Sequence, residues 1–149
     1  MEITLSNRQK NCPLSLPSIK ARLRAMLKRL DCPAQTELSV LLVDDEEIAR
    51  LNETWLGHVG PTNVLSFSQQ EGDMAIPGNH LLGDVVVSVD TARREAMDNG
   101  LEADEHLMRL ILHGILHLLG YHHEEDPQAA REMEALTEEV LAATCPAPE

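Results

Sequence analysis

Four of the chain's seven histidines fall in one short apolar segment, HGILHLLGYHH, at residues 113–123. His113 and His117 are four residues apart, so on an α-helix their Cβ atoms lie roughly 5–6 Å from each other on one face. Imidazoles at that spacing can both reach one divalent cation at about 2.0–2.1 Å, the usual zinc–nitrogen length. Because burying histidine among leucines is costly unless its nitrogens find partners, the segment predicts a metal site.

A third ligand is predicted to come from beyond a turn. A straight helix offers no third ligand on the same face, but Gly120 lacks a Cβ and tolerates positive φ, so the chain can turn back. His123 then closes the set. His122 is an alternative ligand, although its place in the segment favours a role outside the coordination sphere or in solvent. Three imidazoles leave one position for water, as in catalytic zinc sites, and Ni²⁺ or another late first-row metal would also accept three nitrogens.

The spacing reproduces the HxxxHxxGxxH pattern of the metzincin proteases. In those enzymes the residue after the first histidine is the glutamate that activates water at the metal. Here that residue is Gly114. The pattern therefore predicts a zincin-like metal-binding helix without the protease's base, and it disfavours a peptide hydrolase. The isolated histidines His58, His80 and His106 are expected at the surface.

The elements that position this helix are predicted from apolar periodicity and from capping signals. Their order is β-α-β-α-β-β-α-α-α, which favours an α+β fold with a small mixed β-sheet packed with helices, and residues 1–149 are expected to form a single domain. Residues 1–6 predict a short edge strand. Predicted helix caps are Asp44 or Asp45, Asp90 or Thr91, and Asp104 or an earlier residue.

Composition limits the possible partners and the compartment. The formal net charge is −13, which repels phosphate at long range. Basic residues nevertheless crowd the first thirty positions, and Lys20, Arg24 and Lys28 form one stripe on the first predicted helix. Three scattered cysteines without CxxC spacing are typical of a reducing cytoplasm. With no apolar run approaching about 18 residues, we expect no transmembrane helix.

Four segments resemble the YbeY family of bacterial endoribonucleases and rRNA maturation factors. HGILHLLGYHH is similar to the family's HGxLHLxGYDH signature. The other three matches lie at residues 61–67 (PTNVLSF), 81–88 (LLGDVVVS) and 37–52 (ELSVLLVDDEEIARLN). The resemblance covers most of the chain, with the segments in the same order and with the same gaps.

The resemblance implies a single-strand-specific, metal-dependent endoribonuclease. Its expected roles are 16S rRNA 3′-end maturation and ribosome quality control, with RNA and the small ribosomal subunit as partners and the cytoplasm as location. By the match, His113, His117 and His123 correspond to the family's three zinc ligands. Arg93, Arg94 and Arg109 are candidate cations for the substrate phosphate, although surface roles are favoured for them. Thr62, Asn63 and Ser66 either line the site or serve turn and strand structure, and Asp84 either orients a ligand histidine or caps a turn.

One departure from the family bears on catalysis. Where the family reads YRGKDKPT, this chain reads WLGHVGPT, so Leu56 stands at the position of a functionally important arginine. A guanidinium can offset the negative charge that builds up on phosphoryl oxygens during cleavage, and leucine cannot. The substitution keeps open an alternative reading, a metal-stabilised ribosome assembly factor without turnover.

Overall fold

The structure, a computed structural model, describes residues 1–69, 80–121 and 126–145. Within these ranges the elements follow the predicted order. The strands are β1 (Glu2–Asn7), β2 (Glu37–Val43), β3 (Val64–Ser68) and β4 (Leu81–Ser88). The helices are α1 (Leu16–Arg29), α2 (Asp45–Leu56), α3 (Val89–Asp98), α4 (Ala103–Leu118) and α5 (Pro127–Ala143).

The four strands form one mixed sheet in the order β1-β2-β4-β3. β1, β2 and β4 are parallel, whereas β3 runs antiparallel to β4. The parallel pairs need helical crossovers, which α1 supplies between the first two strands. The α+β fold class and the edge position predicted for the N-terminal strand are both confirmed.

Apolar side chains divide between the two faces of the sheet. The larger cluster joins α1, α4 and α5 to one face, where Leu23, Ile111 and Val85 are fully buried. The smaller cluster lies under α2 on the other face and includes Ile48 and Val86. Val85 and Val86 therefore serve opposite faces, as the alternation of side chains along a strand requires.

Helix ends mostly follow the capping signals. The Asp44 side chain accepts a hydrogen bond from the Glu47 backbone N–H and caps α2, and Glu102 caps α4. The cap predicted at Asp90 or Thr91 was wrong, because α3 begins directly after β4 and Ser88 takes that position. The Ser88 hydroxyl accepts from the Thr91 backbone N–H, so a residue at the end of the strand does the capping.

Helix α4 is the most apolar helix and carries the histidine segment. Its long buried face packs on β3 and β4 and against α3 and α5. The helix ends at Leu118, and Gly120 follows with a φ of 100°, which is the positive value predicted for the turn. In the part of the chain that the structure describes, no helix is both long and apolar enough to cross a membrane.

Candidate metal centre

His113 and His117 face each other on successive turns of α4. Their Nε2 atoms lie 2.9 Å apart, and their ring centroids are 4.5 Å apart with the planes inclined at 72°. Both side chains are half-buried. The two ring nitrogens thus converge on one point, as imidazoles that share a cation must do. The geometry of this pair fits a late transition metal, for which imidazole is a preferred ligand.

Gly114 lies between the two histidines at the closest approach of α4 to the sheet. A Cβ at this position would stand 2.8 Å from Cγ1 of Val85 and 3.3 Å from Cγ2 of Val64. A side chain larger than hydrogen would therefore require the Val85 side chain or the helix to shift. Residue 114 is glycine and offers no carboxylate base, and the missing Cβ lets the histidine helix pack closely on the sheet.

The third predicted ligand, His123, and its neighbour His122 lie outside the described residues. Among the residues that are described, no group of three or more His, Cys, Asp or Glu side chains is arranged to hold an ion. His113 and His117 are therefore the described members of the predicted set, and the three-ligand site stays a prediction. The last described residue before His122 and His123 is Tyr121, which is exposed and follows the end of α4 that carries His117.

The three candidate arginines have carboxylate or carbonyl partners. Arg94 Nη1 lies 2.7 Å from Asp45 Oδ2, Arg93 donates to the Asn11 carbonyl, and Arg109 donates to Glu138 at 2.9 Å. Of the three, Arg109 lines the same α4–α5 cleft as His113, which has a volume of about 340 Å³. Its pairing makes it a weak source of charge for a substrate unless Glu138 releases it.

The pKa of Asp45 reflects the contacts that hold α2 against α3. Burial would raise this pKa, but hydrogen bonds donated by Ser88, Thr91 and Arg94 outweigh burial and lower it. The hydroxyls of Ser88 and Thr91 both donate to Asp45 Oδ1 at 2.6 Å. Arg94 therefore serves to join two helices.

The expectation that His106 lies at the surface was wrong. His106 is 8% exposed, and its Nε2 lies 2.9 Å from Glu95 Oε1. The same carboxylate accepts hydrogen bonds from Asn63 Nδ2 at 3.3–3.4 Å. The backbone carbonyl of Asn63 accepts a hydrogen bond from the Ser88 backbone N–H. Asn63 thus joins the loop before β3 to α3 and α4, which favours the structural reading of this residue. The residue spacing contains no signal for this network, because its four members come from four separate parts of the chain.

Asp84 does not lie with the histidines. It pairs with Phe67 on β3 and lines a groove with Trp55 and Val86 on the α2 side of the sheet. Ser66, by contrast, pairs with Val85, whose side chain contacts Gly114 on the α4 side. Because side chains alternate along the strand, Asp84 points away from α4 and does not orient His113 or His117.

The surface around these elements carries the remaining predicted residues. His58 and His80 are exposed, as predicted, and Leu56 is 49% exposed at the end of α2. Lys20 and Lys28 are exposed and Arg24 is half-buried. Arg24 and Lys28 line one cavity together with Met1, which places these two members of the basic stripe beside the N-terminus.

Comparison with known proteins gives a consistent result. The sequence model of the family described as Endoribonuclease YbeY matches residues 4–144. The chain is 44% identical over 126 residues to the Endoribonuclease YbeY of Syntrophus aciditrophicus, covering 85% of this chain and 78% of that protein. It is 41% identical over 143 residues to the one of Geobacter metallireducens, covering 95% of both. The solution structure of TM1509 from Thermotoga maritima superposes with a TM-score of 0.68 at 27% identity, over 95% of this chain and 88% of that one.

Proposed function

Because the chain belongs to the Endoribonuclease YbeY family, we propose that it is a metal-dependent endoribonuclease that cleaves single-stranded RNA. We further propose that its substrate is rRNA of the small ribosomal subunit, with roles in 16S rRNA 3′-end maturation and in ribosome quality control in the cytoplasm. The observation that carries the metal-dependent part is the convergence of His113 and His117, with Nε2 atoms 2.9 Å apart. His123 is the proposed third ligand.

In the proposed mechanism, the histidines hold one Zn²⁺ while the rest of α4 fixes their positions. A bound Zn²⁺ supplies a Lewis acid that polarises a phosphoryl oxygen and lowers the pKa of water at the site towards about 7. The helix itself supplies no carboxylate base at residue 114, since Val85 and Val64 fill the space that its side chain would need. The same contact disfavours a metzincin-like peptide hydrolase.

Substrate binding is assigned to the basic stripe of Lys20, Arg24 and Lys28. Neither Lys20 nor Lys28 has an ion-pair partner among the described residues. Unpaired cations can contact backbone phosphates without the cost of breaking an existing ion pair. The net charge of −13 makes such a local basic surface necessary, because the average field of the protein repels RNA.

A second candidate function is assembly without turnover, in which the metal stabilises the fold. The specific observation in its favour is Leu56, an uncharged side chain that is 49% exposed where the resemblance places an arginine. Without a guanidinium at this point, less of the charge that develops on the phosphoryl group is offset.

A paired assay distinguishes the two functions. Zinc-loaded, nuclease-free wild-type protein and the His117→Ala variant are incubated with single-stranded RNA, and cleavage is followed by gel electrophoresis. His80→Ala is the matched control, because it removes an exposed imidazole directly before β4. If the protein is an endoribonuclease, wild type and His80→Ala should cleave the RNA at similar rates. The cleavage rate of His117→Ala should be lower by at least about 100-fold. Equal rates in all three would assign the cleavage to contamination, and no cleavage by metal-loaded wild type would favour the assembly factor.

A further inference from the structure

The sheet face opposite the histidine helix carries an exposed aromatic groove. Trp55, at the end of α2, is 67% exposed, and its ring meets that of Phe67 edge to face with centroids 6.4 Å apart. Leu41, Leu51 and Val86 complete an apolar floor in a groove of about 330 Å³. An exposed indole beside a second aromatic ring is unusual on a chain with only one Trp, one Tyr and one Phe.

Asp84 is the carboxylate of the groove, whose other polar lining residues are Arg8 and Gln69. It lines the groove with Trp55 and Phe67, and among the described residues its side chain has no hydrogen-bond or ion-pair partner. Arg8, at another edge of the groove, is paired with Glu47 at 2.8 Å. A carboxylate accepts hydrogen bonds and repels phosphate, so the groove suits a neutral heterocycle with N–H donors better than an RNA backbone.

The size of the groove also favours a single ring system. A volume of about 330 Å³ lies at the small end of the range for small-molecule sites, which is roughly 300–1,000 Å³. A docked helix of a protein partner needs a longer apolar channel that takes side chains from successive turns. Unpaired bases of single-stranded nucleic acids stack on aromatic side chains in this manner.

The groove and the histidine helix lie on opposite faces of the sheet and both border β3, since Phe67 lines the groove and Val64 approaches Gly114. Gly83, the neighbour of Asp84, approaches Leu118 so closely that a Cβ on Gly83 would lie 2.8 Å from Leu118 Cδ2. Leu118 directly follows His117, and the Phe67 carbonyl lies against the same glycine. β3 is the edge strand of the sheet, so an RNA strand that reaches both sites would pass around this edge.

We propose that this aromatic groove binds one unpaired base of the RNA, stacked on Trp55, with Asp84 accepting hydrogen bonds from the base edge. The proposal rests on the proposed function, because it extends the same substrate beyond the histidine site. Guanine is the favoured base, since its N1–H and its 2-amino group present two adjacent donors to one carboxylate. Uracil offers a single N–H between two carbonyl oxygens and is disfavoured.

Because Trp55 is the only tryptophan, its fluorescence reports on the groove without cleavage. The probes are a six-nucleotide RNA with one guanosine among uridines, the same RNA with inosine in place of guanosine, and hexauridylate. We expect saturable quenching by the guanosine RNA, with affinity weaker by about tenfold for inosine, which lacks the 2-amino group, and weaker again for uridine. The Asp84→Asn variant should bind the three RNAs without this order of affinity, while its Trp55 fluorescence in the absence of RNA stays the same.

Kinetics supply a second readout that separates this proposal from the proposed function. Trp55→Leu should raise KM for guanosine-containing RNA about tenfold with kcat little changed. Trp55→Phe should recover most of the lost affinity. The control is Met97→Ala, which changes an exposed residue of α3 outside the groove and should match wild type. Thermal unfolding of each variant checks that it is folded. His117-dependent cleavage with no quenching of Trp55 and no KM change would overturn the base site and leave the groove to a protein segment. The base site would also be overturned if the affinity measured by quenching were the same for all three RNAs and unchanged in Asp84→Asn. Base-dependent quenching without any cleavage would overturn only the proposed function.

Discussion

Gly114 packs against Val85 so closely that a single methyl group would lie 2.8 Å from Cγ1 of the valine. This contact lies between His113 and His117 in sequence, so it fixes the height of both imidazoles above the sheet. The glycine is thus explained by packing, since the helix can approach β4 this closely only where no Cβ intervenes.

Gly114→Ala should destabilise the protein although alanine is the better helix former. Overpacking of a close-packed core costs about 1–3 kcal/mol, and the gain in helix propensity offsets only about 1 kcal/mol of it. Chemical denaturation of the single variant and of the Gly114→Ala/Val85→Ala double variant measures the contact. We expect the double variant to be more stable than the sum of the two single effects predicts. Additive effects would show that the helix adjusts and that Val85 is not the obstacle.

Leu56→Arg should increase RNA cleavage. The side chain is 49% exposed at the end of α2, so a guanidinium can be introduced there without burying a charge. If it reaches the phosphoryl oxygens in the transition state, kcat/KM should rise about tenfold or more. Leu56→Gln is the neutral control, and steady-state kinetics on one single-stranded RNA compares all three proteins. An equal gain from glutamine and arginine would remove charge as the explanation.

Glu105→Gln should lower stability at neutral pH and reduce its dependence on acid. Arg22, which is 8% exposed, donates to both carboxylate oxygens of Glu105 at 2.6 and 2.8 Å, and these hydrogen bonds lower the pKa of Glu105 in spite of its partial burial. Because the folded pKa is lowered, the stabilisation is present above the unfolded value of about 4.3 and is lost as the pH falls through the folded pKa. We expect a loss of about 1–2 kcal/mol at pH 7, since Glu105 is one-third exposed.

Urea denaturation at several pH values between 7 and 3 measures this effect. The difference between wild type and Glu105→Gln should shrink as the pH falls below about 4. Glu46→Gln is the control, because Glu46 pairs with Arg50 where both side chains are more than half exposed, and such pairs contribute little. A difference that stays constant with pH would mean that the ionised pair does not provide the stabilisation.

Charge reversal on the basic stripe should weaken RNA binding and reduce its salt dependence. Replacement of Lys20, Arg24 and Lys28 by glutamate removes up to three phosphate contacts, which should lower the slope of log K against log salt by about 2 for a single strand. The control reverses Lys10, Arg50 and Arg131, all exposed, so that the net charge changes equally. Equal loss of affinity in both variants would indicate a general field effect and remove the stripe from the binding site.

The order of the elements was predictable because each element carries its own periodic apolar pattern and its own end signals. The convergence of His113 and His117 on α4 was likewise predictable, because a spacing of four residues on a helix fixes the relative placement of two side chains. The burial of His106 was not predictable, because its partner Glu95 lies on a different helix. The position of Asp84 depends on which face of β4 meets α4, and that is decided by long-range packing such as the Gly114–Val85 contact.

The central claim is that the imidazoles of residues 113, 117 and 123 share one cation, and anomalous diffraction at the zinc edge tests it most directly. Crystals of the zinc-loaded protein should show one anomalous peak about 2.0–2.1 Å from Nε2 of His113 and of His117, with His123 as the third ligand and one position open to solvent. Rings that point apart at full metal occupancy, or a fourth side chain in the open position, would contradict the account.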